Sequence, residues 1–358
     1  MTRSRLAVLV STVVVVVGVI AGLGALWLNP ARAAVGPMPA EALVLPADAR
    51  FVMGFDVRRF TASPFYARYA SQRGMKPEAL RELEEKTGLN PARDVDQIVV
   101  VGGKEAARST PGLALALGRF DLYKIGRALE TEGKVTGHNV AGISVYVFKE
   151  EDARSVALAF LDETALLFGP RADVESAIGS RSRGETPFRK NTLLLGLVEK
   201  VRPGSTFWMV GDQSLLAGMP TSIPAPGASA DAATINLPAL QALTVTGDLD
   251  PQVSLNVTGE AKDELAAKNL ADVVRGFVAL MSLQAQQKPE LQQLASAFTV
   301  ATEANRVLVS ARIPYELLDA LQPKAKVAPA PAKSAASLSF RVWTGGGRSP
   351  MAMTLSPF

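Results

Sequence analysis

Phe51-Val52-Met53-Gly54-Phe55-Asp56, FVMGFD at 51–56, returns at 207–212 as FWMVGD, with Phe, Met and Asp in the same places. Each is a short apolar run that closes on an acid, which reads as a β-strand. The stretch LALGRFD at 115–121 echoes TVTGDLD at 244–250, and the strand-turn-strand-helix pattern of 156–178 echoes 297–319. The three offsets differ, so insertions separate the copies. This reads as a tandem duplication. The competing reading is chance, because any α+β chain repeats strand pairs and helices.

Working outward, each copy is predicted to be an antiparallel sheet with helices on one face. The fold class is therefore α+β, with two related antiparallel-sheet lobes, at 45–188 and 189–322. Residues 34–44 read as a linker, and 323–358 as an Ala/Pro/Lys-rich linker and tail that builds no core. Long alternating parallel βαβ units are not evident, which argues against a Rossmann fold. In the first lobe, Arg50–Phe60 reads as a strand. Ser63-Pro64 opens a helix, with Ser as cap and Pro at the first helical position. Pro77–Lys86 is a second helix stopped by Gly88. Strands follow at Asp96–Gly102, Gly112–Asp121, Val140–Lys149, Ser155–Leu161 and Thr164–Phe168, with helices at Leu122–Thr131 and Asp173–Gly179.

In the second lobe a helix at Thr192–Val201 precedes a strand at Thr206–Gly211. Met219–Pro238 reads as a long surface loop. Leu240–Gly247 and Gln252–Thr258 form a hairpin. Asp263–Gln284 is the longest helix of the body, with an apolar stripe at helical spacing. A helix from Pro289, a hairpin at Phe298–Thr302 and Arg306–Arg312, and a helix at Tyr315–Leu321 complete it. Leu338–Thr344 reads as one more strand in the tail.

Before all this stands Leu6–Leu28, 23 residues without a charge, preceded by Arg3 and Arg5. As a helix it spans roughly 34 Å, enough for a hydrocarbon core of about 30 Å. The leading arginines place the N-terminus in the cytoplasm and the body outside. The segment, 1–33, reads as a transmembrane helix anchored in the inner membrane. The alternative is a cleaved signal peptide, with Ala31-Arg32-Ala33 as the small-x-small site and a periplasmic or secreted product. Gly18 and Gly22 form a small-xxx-small pair of the kind that brings helices together.

Composition excludes several mechanisms. The chain has no cysteine, so thiolate nucleophiles, Cys-ligated zinc and a lipid-modified N-terminal Cys are out. A single histidine, His138, removes multi-histidine metal sites. The net charge is +4, but Arg3, Arg5 and Arg32 lie in the leader; removing three of the 38 basic residues leaves 35 against 34 acidic ones. With no basic cluster in the body, a nucleic-acid partner is not indicated.

Candidate chemistry is thin. His138, in Gly137-His138-Asn139, reads as an exposed turn residue. Thr344–Arg348 (TGGGR) and Val101-Gly102-Gly103-Lys104 lack the spacing of a phosphate loop. Asp56, Asp94, Asp96 and Glu105 are carboxylates whose pairing needs proximity in space. Asp248 and Asp250 suit a turn and lack the spacing of a calcium loop. No catalytic, cofactor or metal residues are assigned. Leu270, Val274, Phe277 and Met281 are candidate liners of an apolar ligand groove, with core packing as the competing role.

Leu45-Pro46-Ala47-Asp48-Ala49, leading into a strand that ends Phe55-Asp56-Val57, with Ser63-Pro64 opening a helix, resembles a class of uncharacterised exported bacterial proteins. The resemblance implies an N-terminal membrane segment and repeated α+β modules, and no activity. The expectation is a membrane-anchored or exported envelope protein acting as a non-enzymatic binding or scaffold module. Its partners would be the membrane, through residues 6–28, and a protein or lipid. A carrier of lipid or another apolar ligand, and a hydrolase without His or Cys chemistry, are the alternatives.

Overall fold

The computed structural model describes residues 38–73, 77–103, 112–131, 135–148, 155–214, 222–224, 234–236, 239–284 and 289–321. The membrane segment, Lys104 and Glu105, the 323–358 tail with its strand at Leu338–Thr344, and Thr344–Arg348 lie outside them. Among the described residues no helix is long and apolar enough to cross a membrane.

A 3-10 turn at Ala40–Val44 leads to β1, Phe51–Asp56. Ala42, within the predicted linker, and Leu45, at the start of the first predicted lobe, are buried in the core. The predicted strand Arg50–Phe60 stops at Asp56. That carboxylate accepts a hydrogen bond from the backbone N–H of Arg59 at 3.0 Å and starts helix α1, Val57–Ala62. A side-chain cap turns the chain, as acids at a helix start do. Ser63 Oγ then accepts from the Tyr66 N–H at 3.2 Å and opens α2, Pro64–Arg73. Next come α3 (Pro77–Thr87) and α4 (Pro91–Asp94), then strands β2 (Val95–Gly102) and β3 (Leu113–Gly118), and helix α5 (Leu122–Thr131).

The predicted strand Val140–Lys149 is the second arm of a hairpin, β4 (Val135–Val140) and β5 (Ile143–Phe148). Ala141 and Gly142 both take positive φ, 50° and 86°, which makes the tight turn between strands. Strands β6 (Val156–Asp162) and β7 (Ala165–Pro170) lead to α6, Arg171–Ser182. After a 3-10 turn at Pro187–Lys190 come α7 (Thr192–Glu199) and β8 (Phe207–Asp212). The predicted loop Met219–Pro238 contains a small ribbon of β9 (Ser222–Pro224) and β10 (Thr234–Asn236). Then follow β11 (Leu240–Asp248), β12 (Val253–Ala261), α8 (Glu264–Gln284), α9 (Pro289–Ser296), β13 (Phe298–Glu303), β14 (Arg306–Ile313) and α10 (Tyr315–Leu321).

The two predicted lobes are the two halves of one 12-stranded antiparallel sheet, ordered β13-β14-β12-β11-β8-β1-β2-β3-β7-β6-β5-β4. The repeated stretches FVMGFD and FWMVGD pair with each other at its centre, Met53 opposite Met209. Moving outward, β1-β2-β3-β7-β6 on one side matches β8-β11-β12-β14-β13 on the other. The hairpin β4–β5 is the addition in the first half. By this order β12, not β11, takes the place of β3, so the echo between 115–121 and 244–250 joins strands of different rank. The better match is Gly118 and Asp121 with Gly259 and Asp263. Both acids cap a following helix, accepting backbone N–H from Lys124 (3.0 Å) and Ala266 (2.7 Å).

The helices do not keep to one face. We call the face bearing Val52, Gly54 and Asp56 the front and the other the back. In the first half, α6 and α7 cover the front through Val174, Ile178, Leu194 and Leu197, packed on Val99, Leu115 and Leu167. Helix α5 covers the back through Ile125 and Leu129, packed on Ile98, Leu158 and Phe168. Strands β2, β3, β6 and β7 are near-continuous apolar runs because both their faces are buried. Helix α7 shares one core with the front strands of the first half and with Trp208 and Val210 on β8.

Candidate functional site

The second half is built on the same strand order with a different front. Front positions of the first half are apolar: Val99 and Val101 on β2, Leu113 and Leu115 on β3, Ala157 and Ala159 on β6, all buried. Their counterparts are Thr244 and Thr246 on β11, Ser254, Asn256 and Thr258 on β12, Ser310 on β14 and Thr299 on β13. The register places Thr246, Asn256, Ser310 and Thr299 in one row across four strands. Thr244, Thr258, Leu308 and Ala301 form the next row. Neighbouring strands lie about 4.8 Å apart, and residues two apart on one strand about 7 Å. The result is a grid of hydroxyl and amide groups.

Burial falls away across this face. Trp208 and Val210 on β8 are buried under α7, the β11 threonines are half-buried, and Asn256 and Thr299 are exposed. The physical reason is the path of the last helix. After β7 the chain folds α6 over the front. After β14, in the equivalent position, α10 turns to the far end of the sheet. There Tyr315 and Leu318 pack with Phe65, Tyr69, Leu249 and Val253.

Charged side chains rim the grid and are mostly paired. Glu260 meets Lys200 at 3.1 Å, Arg306 meets Glu303 at 3.4 Å, and Asp248 accepts from Thr206 and faces Arg59 at 3.8 Å. Further in, Asp212 at the end of β8 receives Arg50 at 2.9 Å and Ser214 Oγ at 2.5 Å. Burial pushes this carboxyl up, but the hydrogen bonds from Ser214 and Arg50 outweigh it and hold the group below its ordinary value. Arg312, at the lower rim, also borders a cleft of about 400 Å3 lined by Gln293, Ser296, Pro314, Glu316 and Leu317.

Of the groove-lining residues predicted on Asp263–Gln284, Leu270, Val274 and Phe277 have described side chains. Leu270 packs with Val300 and Val309 on the back of the sheet, in a cluster whose helix side is Ala266, Ala267 and Ala271. Alanines let the helix sit close to the strands, so this contact is core. Val274 is half-buried, and Phe277 is 44% exposed. The side chain of Met281 lies outside the described ones.

The other candidates are structural where they are described. His138 sits within edge strand β4 rather than in a turn, with Nε2 2.8 Å from Glu175, which also takes Arg171 at 2.6 Å. Asp94 pairs with Arg93, Asp96 with Arg58 at 3.1 Å, and Asp56 caps α1. Asp250 lies in the β11–β12 turn. Among the described residues no three of His, Asp and Glu gather to hold a metal.

One cluster was not anticipated. Tyr69 on α2 donates to Asp319 at 2.5 Å, Arg68 pairs with Asp319 at 3.2 Å and stacks over Tyr315 at 5.0 Å, and the Tyr315 hydroxyl donates to the Leu249 carbonyl. Burial, reinforced by Asp319, pushes the Tyr69 phenol up to about 12; burial, with Asp250 nearby, does the same for Tyr315. Both phenols are protonated at neutral pH, and the cluster ties the first-half helix to the last one. The open front had a legible signal, the alternation of hydroxyl and apolar residues in 244–246 and 254–258. The tyrosine cluster had none, because its members are some 250 residues apart.

No protein family and no curated protein matches the chain. Among solved structures, crystal form III of TP0453 aligns with a TM-score of 0.44 at 12% identity, over 78% of this chain and 96% of that chain. Crystal form I aligns with a TM-score of 0.42 at 12% identity, over 78% and 95%. A likeness of this degree carries no argument about function.

Proposed function

We propose that this chain is a non-enzymatic binding or scaffold module of the bacterial envelope, and that it engages its partner through the open front of the second half. Residues 6–28 anchor it in the inner membrane as a single transmembrane helix, with the N-terminus in the cytoplasm and the sheet outside. The two halves are duplicated copies of one unit. The matching strand order, the paired FVMGFD and FWMVGD strands and the equivalent caps Asp121 and Asp263 support that reading.

One observation carries the binding assignment. At equivalent positions one half has valine, leucine and alanine under helices, and the other has threonine, serine and asparagine facing outward. A sheet face that merely lost its cover would be an apolar patch, which soluble surfaces avoid. A polar grid is a surface built to stay accessible.

The test is a photo-crosslinking amino acid at position 256 or 299 in the full chain, irradiated in intact envelopes. The reading expects adducts at these two positions and none at Tyr123 on α5. Equal labelling at all three, or none at 256 and 299, refutes it. N-terminal sequencing of the mature chain tests the anchor: a start at Ala34 or Val35 overturns it.

A further inference from the structure

We propose that the turn Pro187–Lys190 and the first turn of α7 rest on the acidic phospholipid surface of the membrane that holds residues 6–28. This rests on the anchor reading above and adds a second, peripheral contact to it. Three observations meet at this place.

The first is the tether. The apolar segment ends at Leu28, and the described body starts at Met38, which packs against the front core. The nine residues between them, 29–37, reach at most about 32 Å even when fully extended. The surface around Met38 is therefore held within that distance of the bilayer. The second is that the turn is fixed to this entry point. Asn191 Nδ2 donates to the carbonyls of Ala47 and Ala49, both at 2.9 Å. Phe188, 0% exposed, packs in one cluster with Ala42 and Leu45. The third is what the turn shows to solvent. Arg181 and Arg183 are matched by Asp162 at 2.7 Å and Glu185 at 2.9 Å. Arg189 and Lys190 are exposed, and among the described residues no ion pair takes up either; Lys190 acts on Glu185 only at longer range. Leu193, just beyond them, is 51% exposed while Leu194 and Leu197 are buried. Uncompensated cations beside an exposed leucine suit an acidic headgroup layer: each Lys or Arg near such a surface favours the bound state by about fivefold, and the apolar chain enters the headgroup boundary. The exposed acids Glu41 and Asp48 stand on the entry segment and are repelled by such a layer, which confines the contact to the turn.

The chain has no cysteine, so a single one can be labelled cleanly. Leu193→Cys carries an apolar, environment-sensitive fluorophore. Tyr123→Cys, at a site 70% exposed on α5, carries the same label as reference. The full-length chain is inserted into preformed vesicles of phosphatidylcholine, alone or in equal parts with phosphatidylglycerol, and the label is quenched with acrylamide. Flotation with the vesicles reports the anchor, and quenching reports the surface contact. With acidic lipid, position 193 should be shielded and blue-shifted, and position 123 should not. Arg189→Glu/Lys190→Glu, high salt, or omission of the acidic lipid should each lower the docked share at 193 by at least about tenfold. Circular dichroism of each variant confirms folding. Equal quenching at 193 and 123 in acidic vesicles overturns the proposal. So does shielding at 193 that survives the charge reversal or persists in neutral vesicles. A chain that floats but leaves 193 unshielded keeps the anchor and loses the surface contact. A chain that does not float loses both.

Discussion

The junction of the two halves contains one contact that a single atom tests. Gly54 and Trp208 are directly opposed on β1 and β8, and the indole lies over the Gly54 backbone. A Cβ built at 54 falls on the five- and six-membered rings of the indole, nearest Nε1 and Cε2. Trp208 is 1% exposed, and its Nε1 has no hydrogen-bond partner, so packing alone holds it. In Gly54→Ala the indole must shift against the front core. Overpacking of this kind costs about 1–3 kcal/mol, partly offset by the ~0.5–1 kcal/mol that alanine gains over glycine in a strand. A net loss of about 1–2 kcal/mol is expected. Trp208→Leu vacates the overlap at a cost of its own of about 3 kcal/mol. In that background Gly54→Ala should be neutral or mildly stabilising, a coupling of about 2 kcal/mol. Urea unfolding followed by far-ultraviolet circular dichroism measures all four corners of the cycle. Because the halves share one sheet, each corner should unfold in a single transition. Additive effects, or a Gly54→Ala cost below about 0.5 kcal/mol in the parent, would refute the packing argument; two separate transitions would refute the shared sheet.

The phenols of Tyr69 and Tyr315 have folded values near 12 against an ordinary 10.0, so the stability they confer is complete below pH 10 and is lost as pH rises toward 12; Tyr69→Phe should flatten that alkaline loss in a pH series of melting curves, and cost about 1 kcal/mol at neutral pH. The Asp212 carboxyl is held low, so its contribution is present above the ordinary value of 3.8 and lost as pH falls through the folded value; Asp212→Asn should reduce acid sensitivity in the same assay. Asp121→Ala and Asp263→Ala each remove an N-cap and should cost about 1 kcal/mol in urea titrations, additively, because they lie in different halves. Ala267→Leu, at a site 0% exposed, should cost about 1–3 kcal/mol, whereas Phe277→Asp should stay within about 0.5 kcal/mol; similar effects at both would put a cavity, not core, behind α8.

The amino-acid sequence alone determined the α+β class and most strand and helix positions in the body, because these depend on local periodicity and caps. Ser63-Pro64, Gly88 and the alternation of 240–258 act within a few residues of themselves. It misplaced the end of β1, since FVMGFDVRRF alternates through a point where Asp56 caps a helix. It also split what is one sheet, because the pairing of Phe51–Asp56 with Phe207–Asp212 joins residues 156 apart and leaves no local trace. The apolar stripe of 263–284 was legible as a stripe, but whether it lined a groove or a core depended on the sheet beneath it. Only the tertiary structure decided that α6 and α10, which follow equivalent strands, turn to different sides. That divergence covers the front of one half, leaves the front of the other open, and gives the hydroxyl side chains of β11, β12, β13 and β14 a common face.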